Sequence, residues 1–217
     1  MQTAAQPQQD TGRTFGRYRH ICAFFNSAEE QRRVLRPFIT EGFDQGHSAY
    51  HYIDPELLEE HLRWLAEAGV DVSEAMGSGQ LEVRPWQDSV LRGGRFDLDP
   101  WLAAFEEVFH AASAAGYKQT RFLGQMEWAL QDLSGVEDLI EYEARVNYLI
   151  PRYDHAVICT YDLRRFAASV VMDALRTHPA VIIGGLLQEN PFFVSPEELL
   201  LEVRGRRSTH KILSAGR

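Results

Sequence analysis

Short apolar runs suited to buried strands alternate along this chain with amphipathic stretches suited to helices, and that order restricts the fold more than any other feature. The first run, His20–Phe25, is followed by Ser27 and Glu30 at capping-box spacing, then by Val34, Leu35, Phe38 and Ile39 at helical intervals. Pro37 within that stretch predicts a kink. The second unit repeats the order: Ser48–Ile53 is a strand, Asp54 an N-cap, Pro55 a first helical residue, and Leu57, Leu58, His61, Leu62 and Leu65 a buried stripe. Further strands are predicted at Leu81–Pro85, Gln119–Leu123, Ala156–Thr160 and Ala180–Ile183. Helices are predicted from Asp99 to Gly116, from about residue 136 to 150, and from Asp162 to Pro179. Such alternation predicts an α/β fold, a mostly parallel sheet with helices on both faces.

At 217 residues, with 45% hydrophobic and 24% charged, the chain has the size of one compact domain. Residues 1–16 are expected to form a disordered N-terminal tail, because they hold almost no bulky apolar side chains. Residues 17–203 form the expected α/β domain, and residues 204–217 a basic C-terminal tail read as a flexible arm. A net charge of −9 argues against direct DNA binding, which needs basic surface to displace counterions. Cys22 and Cys159 sit inside apolar runs and are too few for a disulfide framework, which points to a cytoplasmic protein. No apolar stretch approaches the roughly 20 residues of a membrane-spanning helix.

The opening strand-turn-helix looks like the start of a nucleotide-binding domain but has no phosphate loop. Such a loop needs glycines, a lysine for the phosphates and a Ser/Thr for Mg²⁺. The two lysines, Lys118 and Lys211, both lie far from the first strand. ATP-driven chemistry is therefore not expected, and no G-x-S-x-G elbow marks a nucleophilic serine. No catalytic residue and no cofactor are assigned. The polar segment from Trp86 to Asp97, with Gly93-Gly94, is long enough for a lid or a contact surface.

One helix breaks the apolar pattern. Its buried stripe runs Leu139, Ile140, Glu143, Val146, Asn147 and Ile150, placing a carboxylate and an amide one turn apart where apolar side chains belong. A buried charge needs a partner. Arg121, inside the fourth apolar run, is the expected one; the pair then either fixes packing or lines a ligand pocket. Ligands of open α/β sheets sit beyond the strand carboxyl ends, which nominates Glu127 and Trp128 after strand four and Tyr161 after strand five. Ser27, Asp54 and Asp162 are explained as helix caps. His20 and Cys22 share one strand face, and Cys159 lies on another buried strand, so three soft ligands could meet. The spacing does not match a zinc pattern, and no metal is assigned. His178, ahead of Pro179, is placed where a helix C-terminus favours a cation.

Several dispersed motifs together resemble the MEDS family of methanogen and methylotroph sensory domains. They are His20-Ile-Cys-Ala-Phe-Phe with Glu29-Glu30, Pro37-Phe-Ile-Thr-Glu-Gly-Phe43, Arg121-Phe-Leu-Gly-Gln-Met-Glu-Trp128, Tyr142-Glu-Ala-Arg-Val-Asn147, Cys159-Thr-Tyr-Asp162 and His178-Pro179. The resemblance covers roughly residues 18 to 200. It implies a RecA-like, three-layer fold without a working phosphate loop, used as a sensor or interaction module. Ligand-binding positions expected from the residues and the resemblance together are Arg121, Glu127, Trp128, Glu143, Asn147, Tyr161 and His178. The function expected is non-enzymatic sensing and regulation, through a small-molecule ligand or a regulatory protein partner, with a homodimer as one arrangement. Two alternatives share the cleft: an enzyme with Glu127 or Glu143 as general base, and a ligand-free pseudo-ATPase scaffold.

Overall fold

The computed structural model describes residues 18–153 and 155–215, with residues 207–215 as backbone alone; the expected N-terminal tail over residues 1–16 lies outside the described residues. Among these residues seven strands form one sheet: β1 His20–Phe25, β2 Ser48–Ile53, β3 Leu81–Pro85, β4 Thr120–Gln125, β5 Ala156–Asp162, β6 Ala180–Ile183 and β7 Leu186–Glu189. Their spatial order is β3-β2-β4-β5-β1-β6-β7, parallel except for β7, which runs antiparallel to β6. The sequence reading missed β7. Its signal was the Gly184-Gly185 turn, where both residues adopt positive φ (59° and 78°) and close a hairpin between β6 and β7.

Among the described residues seven α-helices cover the sheet: α1 Ala28–Asp44, α2 Leu58–Glu67, α3 Val72–Gly77, α4 Leu98–Ala114, α5 Leu139–Leu149, α6 Ala168–Thr177 and α7 Pro196–Ala215. The Ser27 hydroxyl caps α1 by accepting from Glu30 N–H, and Asp54 accepts from Glu56 N–H before α2. Pro37 lies inside α1. The helix α7 continues through the basic segment that the sequence suggested was a flexible arm. No proline interrupts it, and Arg206 ion-pairs with Asp173 at 2.7 Å. Among the described residues no helix is long and apolar enough to cross a membrane.

Strand alternation divides the core in two. Cys22, Phe24, Tyr52, Phe122, Val157, Cys159 and Tyr161 face α4, α5 and α6. Ile21, Phe25, Ile53, Leu123, Ile158 and Ile182 face α1, α2 and α3. Each fully buried Leu, Ile or Phe contributes about 1.5–3 kcal/mol relative to exposure. The segment between β3 and α4 is not a loose lid: Trp86, Val90, Leu91 and Phe96 are buried, and Phe96 N–H donates to Ser134 O at 3.0 Å. Its apolar residues, spaced through a polar run, anchor it to the α4–α5 side.

Under α2, His51 Nδ1 and His61 Nε2 share a hydrogen bond at 3.0 Å in a buried site. Burial, then Arg32, pushes His61 down to about 4, and burial, then His61, pushes His51 well down. The unfolded chain binds protons near the ordinary histidine value of about 6.5, where the folded chain does not. The stability these groups supply is therefore complete above about pH 6.5 and lost as pH falls towards 4; for His61 it amounts to about 3 kcal/mol. Urea midpoints measured across that window should fall with acidification, and His61→Gln, which keeps a hydrogen-bonding side chain without titrating, should flatten the slope.

Candidate functional site

Helix α5 rests its anomalous face on β1 and β5, and this contact assembles a fully buried polar cluster around Glu143. The register pairs Cys22 with Cys159 and Phe24 with Tyr161, so alternate residues of both strands, together with His20, point at α5. Tyr161 donates its hydroxyl to Glu143 Oε1 at 2.6 Å. On the other carboxylate oxygen, Oε2, converge His20 Nε2 at 3.2 Å, Cys159 Sγ at 3.5 Å and His178 Nε2 at 3.5 Å. His178 reaches the cluster from the junction of α6 and β6, and its ring lies against that of His20, centroids 4.0 Å apart.

A second layer of bonds fixes the tautomers. Asn147 donates its amide to Thr177 O at 2.7 Å and Glu143 O at 3.1 Å, which orients Oδ1 to accept from His20 Nδ1–H at 3.0 Å. His178 Nδ1 sits 2.8 Å from Ala174 O, which only accepts, and 2.7 Å from Thr177 Oγ1, whose own proton is donated to Ala174 O, an arrangement that assigns the ring proton to Nδ1 here too. Both Nε2 lone pairs therefore face Glu143 Oε2, and His178 Nε2 is a buried atom without a hydrogen-bond partner. Two acceptor nitrogens beside a carboxylate oxygen require a positive centre between them, a proton or a cation.

Burial pushes the Glu143 carboxyl up, but His178, His20 and the Tyr161 hydroxyl outweigh it and hold Glu143 below the usual carboxylate range. Burial, then His20, pushes His178 down to about 3 against the pull of Glu143. Burial therefore disfavours the helix-terminal cation expected of His178 from its position. The Cys159 thiol is pushed well up, by burial first and then by Glu143.

The structure brings together Glu143, Asn147, Tyr161 and His178, and adds His20 and Cys159. Arg121 is not among them. It projects to the opposite face of the sheet, where it donates to Phe38 O and pairs with Glu41 at 3.2 Å, so the expected Arg121–Glu143 pair does not form. Phe122, its neighbour, takes the α5-facing side. Cys22 shares the His20 face, but its thiol lies 3.7 Å from Ala180 O. Glu127 sits apart at the strand carboxyl ends, accepting from Asp162 N–H at 2.9 Å, with burial as the main cause of its raised carboxyl. Trp128 packs against Phe96, centroids 4.5 Å apart. The cluster thus lies beneath α5 rather than beyond the strand ends.

A separate cavity of about 660 Å³ opens between α4 and the β2–β3 edge, with Tyr50, Arg84, Val90, Arg92, Trp101 and Glu107 among its lining residues. None of the seven ligand-binding positions expected from sequence lines it.

Sheet order and helices on both faces make this a RecA-like α/β domain. The crystal structure of the KaiC-like protein PH0186 from Pyrococcus horikoshii OT3 is similar in fold, with a TM-score of 0.52 at 14% identity over 76% of this chain and 69% of that one. The flagellar accessory protein FlaH from Methanocaldococcus jannaschii aligns with a TM-score of 0.47 at 14% identity, over 84% of this chain and 82% of that one. Within this class the chain belongs to the MEDS family, the methanogen/methylotroph, DcmR sensory domain, whose model matches residues 19–179. That span includes His20, Glu143, Cys159 and His178. The transcriptional repressor DcmR of Methylorubrum extorquens is 28% identical over 175 residues, 80% of this chain and 63% of that protein; the chain therefore spans somewhat under two thirds of this relative's length.

Proposed function

We propose that this chain is a non-enzymatic sensory and regulatory module in which the state of the buried Glu143 cluster is passed to a protein partner. The observation that carries this reading is a fully buried carboxylate facing two imidazoles and a thiol, on a RecA-like scaffold whose first strand is followed by no phosphate-loop motif. Membership of a sensory-domain family and similarity to a repressor support it. Buried polar groups of this kind are costly unless fully paired, so any change in the occupancy of the cluster acts on the helices that hold it.

The route outward is short. Ala144, next to Glu143 on α5, packs in one cluster with Leu199, Leu200 and Val203 of α7. Arg176 on α6 forms ion pairs with Glu202 on α7 at 2.9 Å. The 660 Å³ cavity falls in the range of roughly 300–1,000 Å³ usual for small-ligand sites and gives a small molecule a separate point of entry. The reading as a carboxylate enzyme is weaker, because Glu127 already holds the Asp162 backbone N–H.

Hydrogen exchange on the full chain tests this. Glu143→Gln keeps the side-chain shape and removes the charge; it should speed backbone exchange in α5, α6 and α7 and leave α2 and α3, across the sheet, unchanged. Unaltered exchange in α7 would remove the proposed route.

A further inference from the structure

We infer that His20 Nε2, Glu143 Oε2, Cys159 Sγ and His178 Nε2 form a four-coordinate site for a zinc-type divalent cation. The four atoms lie within 4.8 Å of one another, and all four residues are buried. Their separations include 3.2 Å (His20–Glu143), 3.5 Å (Cys159–Glu143), 3.5 Å (His178–Glu143) and 3.8 Å (Cys159–His20). A tetrahedron with metal–ligand bonds of about 2.0–2.3 Å has edges of about 3.3–3.8 Å, close to these four separations, and the 4.8 Å outer limit leaves an inward rotation of the side chains to close the shell.

Outer-shell bonding, charge and ligand chemistry point the same way. Both imidazoles donate Nδ1–H to an oxygen, Asn147 Oδ1 or Ala174 O, and present Nε2 inward; this is the outer-shell arrangement that orients metal-ligating histidines. His178 Nε2 is buried and unpartnered, aimed into the cluster. A divalent ion with one carboxylate and one thiolate sums to zero charge, as a fully buried site demands. Thiolate and imidazole together favour a borderline-soft ion over magnesium or calcium. On binding, the Cys159 thiol loses its proton to solvent as the metal–sulfur bond forms, with no change of oxidation state. Cys22, which the sequence groups with His20 and Cys159, is replaced by Glu143 and His178. The shell has four protein ligands, so the ion would tie β1, α5, β5 and the α6–β6 junction together.

The inference rests on the sensory reading only in placing the sensed state at this cluster. Its test uses the full chain, unfolded with chelator and refolded with one equivalent of Zn²⁺ or Co²⁺. The expected result is one ion per chain by elemental analysis, with intense tetrahedral d–d bands and a thiolate-to-cobalt charge-transfer band. Cys159→Ser should lose the charge-transfer band and Cys22→Ser should keep it. Asn147→Leu, which frees His20 Nδ1–H, should weaken binding about 10–100-fold. If Cys159→Ser does not fold, X-ray absorption on the unaltered chain decides instead, since it reports one sulfur near 2.3 Å and the remaining ligands near about 2.0 Å. A folded chain that takes up no stoichiometric metal, or a cobalt spectrum that survives Cys159→Ser, overturns the site. Metal uptake without the hydrogen-exchange response of Glu143→Gln would support the site and overturn the sensory route; the opposite pair of results would overturn the site alone.

Discussion

Glu143→Ala is expected to lower the unfolding free energy of the metal-free chain by about 3–5 kcal/mol, the cost of breaking a buried ionic cluster at its centre. The loss exceeds that of a solvent-exposed ion pair because nothing replaces the carboxylate. Tyr161 would keep a buried hydroxyl without its 2.6 Å acceptor, and His20 would lose the group opposite Nε2. Urea unfolding followed by tryptophan fluorescence reads the change, and an unaltered m-value would confirm that the folded state keeps its compactness. A double-mutant cycle with Tyr161→Phe should give a coupling of about 0.5–3 kcal/mol, because the two residues share one hydrogen bond. A Glu143→Ala loss below about 0.5 kcal/mol, the size of an ordinary surface substitution, would mean the cluster is not a cooperative unit.

Glu143 was legible as an anomaly from helical periodicity alone, since 139, 140, 143, 146 and 147 share a face and two of them are polar. Its partner was not legible. Arg121 and Phe122 are consecutive on β4, and one of them must face α5; period-two alternation separates the two but does not say which goes where. The structure turns Phe122 towards the aromatic core and leaves Arg121 to Glu41 and the α1 backbone. His20 and Cys159 were visible as same-face and neighbouring-strand candidates, because the alternation of short strands and helices already implied a parallel sheet. That β1 and β5 are adjacent, in a register pairing Cys22 with Cys159, depends on strand order, which local patterns do not encode. His178 was misread for a related reason. A helix C-terminus favours a cation when solvent is near, but at this terminus the ring is fully buried, and desolvation wins.

The rule for strand carboxyl ends led to Glu127 and Trp128, which lie outside the cluster, and to Tyr161 alone within it. That rule describes ligands held by loops. The Glu143 cluster is instead held by side chains that cross from helix to sheet, so its position is set by how closely α5 approaches β1 and β5.

Gly124→Ala is expected to be strongly destabilising, with a loss of about 3 kcal/mol, the upper end of the usual overpacking cost. The backbone of β4 is ordinary here, so conformational freedom is not the reason for the glycine. The reason is Tyr52: a Cβ at position 124 would overlap the Tyr52 phenol oxygen and ring. That ring has no room to retreat, being fully buried between Trp101 and Phe122, with centroids at 5.6 Å and 5.2 Å. Its hydroxyl lies 3.3 Å from Met126 Sδ and 3.5 Å from the Tyr142 hydroxyl, and Tyr142 precedes Glu143 on α5. The missing methyl group at Gly124 therefore lets Tyr52 lie close over β4 and sets the height of α5 above the sheet. Tyr52→Leu alone should also destabilise the chain, by leaving a cavity. Combined with Gly124→Ala, it should cost less than the sum of the two single losses by about 1–3 kcal/mol, because the methyl then enters space the ring has left. Simple additivity in the cycle would show that the strand does not need this glycine for Tyr52. Recovery of stability together with the cobalt spectrum of the unaltered chain would show that the same contact holds Glu143 at its distance from His20 and Cys159.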